Sequence, residues 1–199
     1  MRKVTFGTLI ILITLLFGAK IAVAAVVWQM DSGQLIGALG VDVNGTPYDV
    51  AFKEGTCASV FGVCDAAHFD FTSFDTAEAA SKALLDQVFI NTTDGPFDDT
   101  PNLTYGISDV SIGYILTPFG LQGSYINYST AANSAVESLD EWTGGGSVDN
   151  SLYDSARYPR DVWADWTVRQ GSVPEPGSLS LIAVATFLAA VVTSRRKRI

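Results

Sequence analysis

The sequence is poor in the residues on which most catalytic sites are built. It has one histidine, His68, and two cysteines, Cys57 and Cys64, in 199 residues. A Ser-His-Asp or Cys-His site would have to be assembled around His68, and no nucleophile elbow, phosphate-binding loop or zinc-protease signature accompanies it. His68 therefore reads as a surface or half-buried residue beside the cysteine loop. Cations are scarce too. Between Val26 and Gln170 only Lys53, Lys82, Arg157, Arg160 and Arg169 are basic, against 20 acidic residues, a net charge of −15 for that stretch. Such a surface repels nucleic acid phosphates and anionic lipid and favours solubility. With so many acids some carboxylate pair is always available, so a glycoside-hydrolysing pair cannot be singled out.

What the middle lacks is concentrated at the ends. Arg2 and Lys3 precede an apolar run from Phe6 to Phe17, followed by Ala22, Val23 and Ala24. Charge, apolar run and small-x-small in that order predict a signal peptide over residues 1–24, cleaved after Ala24. At the other end Val173-Pro174-Glu175-Pro176-Gly177-Ser178 leads into an apolar stretch, Leu179 to Val192, closed by Arg195, Arg196, Lys197 and Arg198. Two prolines around a glutamate cannot continue a helix or strand, which leaves an extended segment open to a protease. The apolar stretch predicts a short transmembrane helix, lengthened by its polar neighbours and by snorkelling arginines. Its cations stay in the cytoplasm by the positive-inside rule, so residues 25–172, the exported body, lie on the far side of the inner membrane.

The order Val-Pro-Glu-Pro-Gly-Ser, short apolar helix and terminal arginine cluster closely resembles the PEP-CTERM sorting signal of exported bacterial proteins, over residues 173–199. The resemblance implies a Gram-negative source and cleavage near Pro174-Glu175-Pro176 by an exosortase, a membrane enzyme with a cysteine nucleophile. It implies delivery of the body to the cell surface or matrix. The partners expected are signal peptidase and the secretion machinery, the exosortase, the inner membrane before processing and exopolysaccharide afterwards; no cofactor is expected. Gln34 to Ala38, Val41-Asp42-Val43, Tyr48-Asp49-Val50, Gly55-Thr56-Cys57 and Ala83 to Phe89 are also similar to a body recurrent behind such tags, with no activity attached.

Outside the cytosol an even, closely spaced cysteine pair reads as a disulfide between Cys57 and Cys64, because zinc needs more Cys or His ligands and a redox-active pair needs closer spacing. The body itself reads as α+β, mainly antiparallel sheet with two helices. Alternating apolar residues on both sides of Asn44-Gly45 predict a hairpin. Further strands are expected around Phe69 and Phe71, Ile112 to Leu116, Tyr125-Ile126 and Val162 to Val168. The first helix is expected over Thr76 to Phe89, capped by Asp75 with Glu78, and the second from Ala131 to about Trp142, ended by Gly144-Gly145-Gly146.

Two weaker binding patterns complete the inventory. Asp94, Asp98 and Asp99, with Asn91, sit in a turn-rich loop whose oxygens suit calcium, though their spacing is not that of an EF-hand. Trp163, Trp166, Tyr125 and Tyr128 are of the type that stacks on sugars, but at strand spacing they read first as core. Together these features point to a non-enzymatic surface or matrix protein. A carboxylate-dependent glycoside hydrolase and a calcium-dependent adhesion module are the alternatives.

Overall fold

The computed structural model describes residues 25–170. Seven strands form one mixed sheet: β1 Val27–Asp31, β2 Gln34–Val43, β3 Thr46–Lys53, β4 Ile112–Gln122, β5 Tyr125–Ser134, β6 Glu141–Asp149 and β7 Asp161–Val168. Their order is β1-β2-β3-β7-β4-β5-β6. Two antiparallel meanders are thus joined through β7, which runs antiparallel to β3 and parallel to β4. The α+β expectation holds, with one parallel ladder in an otherwise antiparallel sheet.

The link from β3 to β4 carries the two α-helices found among the described residues, α1 Cys57–Phe61 and α2 Phe74–Gln87. Helix α2 lies on one sheet face because Ala77, Ala80, Ala83 and Leu84 fall on a single side and are buried. Beneath it are Leu35, Ala38 and Val41 of β2, Val50 and Phe52 of β3, Val162, Ala164 and Trp166 of β7, Ile115 of β4 and Ala131 of β5. The opposite face has a second, smaller core of Cys57, Val60, Phe69, Leu116, Ile126, Tyr153 and Trp163. Consecutive residues Val162, Trp163 and Ala164 are all buried because β7 is covered on both faces.

The Asn44-Gly45 hairpin forms as expected, with Val43 opposite Thr46 and both turn residues at positive φ, 54° and 84°. The strands read at Ile112, Tyr125 and Val162 are β4, β5 and β7. Three expectations need correction. Helix α2 starts earlier than expected, since its cap is Ser73, whose hydroxyl accepts the Thr76 amide at 3.3 Å, and not Asp75. Phe69 and Phe71 form no strand. Phe69 ends a 3-10 turn, Ala66–His68, and packs in the smaller core, while Phe71 packs in the larger.

The helix expected over Ala131 to Trp142 is instead the end of β5, a turn containing Glu137–Leu139, and the start of β6. The Gly144-Gly145-Gly146 run lies inside edge strand β6. There a Cβ on Gly145 would come within 2.7 Å of the Tyr128 carbonyl, and one on Gly146 within 2.6 Å of the Tyr128 ring. Those glycines let an aromatic ring lie flat across the strand, which is a sheet use of glycine and not a helix stop.

Among the described residues no helix is long and apolar enough to cross a membrane. The segment from Leu179 to Val192 lies outside them, as do Ala22, Ala24, Pro174, Glu175, Pro176, Arg195, Arg196, Lys197 and Arg198.

Candidate functional site

The cysteine loop is the one sequence-assigned site the described body contains intact. Cys57 and Cys64 are disulfide-bonded, with Cα atoms 5.3 Å apart. Thr56 starts α1 by accepting the Ser59 amide, and Gly62 at φ 79° ends it, so the chain reverses within one short ring. The loop is then locked to the sheet at Gly55. The Gly55 carbonyl accepts from the Trp163 indole at 3.1 Å and from the Ser155 amide at 3.1 Å, and the Gly55 amide donates to the Ser155 hydroxyl at 3.0 Å. Phe61 and Tyr153 pack edge-on against Trp163, with ring centroids 6.0 Å and 5.5 Å away. His68 lies exposed at the end of the adjoining 3-10 turn, a surface position beside the disulfide loop as expected.

Beside this core lies an acid that sequence reading does not single out. Asp161 opens β7 and accepts the Tyr153 hydroxyl at 2.7 Å. Burial pushes its carboxyl above the usual range, opposed by the Tyr153 hydrogen bond and by the Arg160 charge. Burial and the same carboxylate hold the Tyr153 phenol well above its usual value. Nothing local in the sequence announces this pair, because the partners meet only when the 149–160 loop folds over β7. Asp109 shows the opposite environment. It accepts from the Ser111 hydroxyl and amide and from Arg160 Nε at 2.8 Å, which hold its carboxyl far below the usual range.

A broad concavity runs along the outer side of α2. Its volume is about 570 Å³, and Asp86, Asp98, Asp140, Glu141, Lys82 and Asn91 line it above an apolar floor of Leu85, Phe89 and Ile90. A smaller concavity of about 320 Å³ shares Lys82 and Asp86 and adds Asp42, Asp75 and Glu78. Lys82 pairs with Glu78 at 3.2 Å. Carboxylates above an apolar floor can accept hydrogen bonds from sugar hydroxyls and hold the apolar face of a ring.

The calcium candidates lie on the loop that borders this groove. Asp98 lines it. Asp99 accepts from the Asn91 side chain at 2.9 Å, and the Asp94 amide donates to Thr92 at 3.1 Å, closing a turn. Among the described residues no three His, Cys, Asp or Glu side chains gather as a metal set. Of the aromatic residues considered for sugar stacking, Trp163 and Trp166 are core. The Trp166 indole donates to the Thr117 hydroxyl at 3.2 Å. Tyr128 lies half-buried over Gly146, and only Tyr125, at 51% exposure, presents a free ring.

Set against family models, curated proteins and solved structures, the chain matches none.

Proposed function

We propose that the chain is a PEP-CTERM-type exported protein, sorted and cut by an exosortase and delivered as a non-enzymatic component of the cell surface or extracellular matrix. The observation that carries this reading is the tail, where a Pro-Glu-Pro segment, an apolar stretch and four cations follow one another over residues 173–199. Two features of the body support it. The Cys57–Cys64 disulfide suits an oxidising compartment and is out of place in a reducing cytosol. The acids of raised pKa and the carboxylate groove are also in different places, since neither Asp70 nor Asp161 lines the two concavities beside α2. A carboxylate hydrolase needs an acid of raised pKa facing the cleft that holds its substrate.

The α2 groove favours exopolysaccharide as the matrix partner, through sugar hydroxyls rather than anionic groups, which its carboxylates would repel. The test is replacement of Pro174, Glu175 and Pro176 by alanine in the full-length chain. Export should persist, because the signal peptide and apolar stretch are untouched, and the precursor should accumulate in the inner membrane with its arginine tail attached. Equal tail retention by wild-type and variant proteins would reduce the tail to an ordinary membrane anchor.

A further inference from the structure

The fold brings both chain junctions to one end of the sheet. Strand β1 is antiparallel to β2, with Val27 opposite Leu39 and Asp31 opposite Gln34, so the chain enters from the end where β2 turns into β3. Strand β7 leaves at that same end, with Val168 opposite Tyr48 and the Arg169 amide donating to the Pro47 carbonyl at 2.9 Å. Strand β4 runs parallel to β7, so the β4–β5 turn at Gly123 is there too, as is the Asn150–Leu152 loop, since Tyr125 lies opposite Asp149.

This end differs from the other in charge. Asn44 to Pro47, Gln122 to Tyr125 and Asn150 to Leu152 contain no charged residue. The acids flanking these turns are used by them: the Asp42 carboxylate accepts from the Gly45 amide, and the Asp149 carboxylate accepts from the Ser151 amide at 2.9 Å and its hydroxyl at 2.6 Å. At the end of β7 the Arg169 guanidinium pairs with the Asp49 carboxylate at 2.8 Å, and the Asp70 carboxylate accepts from the Val168 amide at 3.4 Å. At the opposite end every connection carries charge, with Asp31, Glu54, Asp109, Asp140, Arg157 and Arg160. The turns at the end where the chain leaves the sheet thus carry no charge of their own, although Asn44 borders the concavity of Asp42, Asp75, Glu78 and Asp86.

Resting on the sorting reading given above, we propose that this end of the sheet, where the chain leaves β7, is the membrane-facing surface of the precursor, held there by a short tether. Four residues, Gln170 to Val173, separate the last sheet hydrogen bond from Pro174. Fully extended they span about 14 Å. The strand cannot be paid out further without unzipping β7, the central strand of the sheet. The membrane enzyme thus receives the sorting segment with the folded body seated directly above it, turns downward.

The test uses the full-length chain with Pro174, Glu175 and Pro176 replaced by alanine, so that precursor stays in the membrane. A photo-crosslinking benzoylphenylalanine is placed at Thr46 or Gln122, both exposed at the end where the chain leaves β7, or at Val110, exposed at 68% on the opposite end. Irradiated cells should give at least fivefold more lipid and membrane-protein adducts from the first two positions than from Val110. A twelve-residue Gly-Ser insertion after Gln170 should abolish that difference. Equal adducts from both ends in membrane-bound precursor would overturn the orientation and leave the sorting reading standing. Precursor absent from the membrane fraction would overturn both.

Discussion

The two faces of the sheet are covered by different means. On one, the fourteen-residue helix α2 sets alanines against the strands, and a continuous apolar core runs from β2 to β5. On the other, the cover is a five-residue helix, a disulfide and an irregular loop, held by hydrogen bonds converging on Gly55 and by rings around Trp163. The first face is stabilised by area. The second has too little regular structure to order itself by burial alone, and it depends on a covalent closure and a few buried polar contacts.

The largest effect should come from the helical face. Leu84 is fully buried, and Leu84→Ala should cost about 3 kcal/mol. Denaturant melts followed by circular dichroism and by tryptophan fluorescence should shift together, since α2 packs on strands from both meanders. Non-coincident transitions would show that the two faces fold independently.

On the other face, replacing Cys57 and Cys64 with serine should cost about 2.5 kcal/mol, the loop-closure value for so small a ring. Hydrogen exchange should report faster opening of residues 55–69 than of α2. Uniform acceleration across the sheet would mean that the disulfide supports the whole fold and not one face.

The smallest effect is pH-dependent. Tyr153→Phe keeps the ring against Trp163 and Tyr158 but removes the donor to Asp161, and should cost about 1 kcal/mol at neutral pH. The Asp161 carboxyl is raised in the folded state, so its ionisation opposes folding once pH exceeds the unfolded value of 3.8. Losing the hydrogen bond raises it further. The deficit should therefore shrink as pH falls toward that value, and a deficit independent of pH would assign Tyr153 a packing role alone.

Sequence reading succeeded where the signal was local. Asn44-Gly45 specifies its own turn, the Cys57–Cys64 spacing suits a small ring, and the apolar spacing of α2 is visible in the chain. It failed where distant partners decided. Ala131 and Ala132 favour helix in isolation, but pairing with β4 and β6 holds them in a strand, where Ala131 leaves room for α2 above it. The glycines of β6 take their meaning from Tyr128, which is remote from them in sequence. The carboxylate groove was illegible for the same reason: its residues come from α2, the loop beyond it and β6, and each alone is an ordinary surface acid.

The function proposed here is written mainly in the two ends, and one measurement bears on it most directly. Wild-type protein recovered from the cell surface or matrix, without reduction, should be analysed by intact mass and peptide mapping. The account predicts an N-terminus at Ala25, a closed Cys57–Cys64 bond and no peptide beyond the Pro174-Glu175-Pro176 region. Surface protein that still carries Arg195 to Arg198 would contradict it.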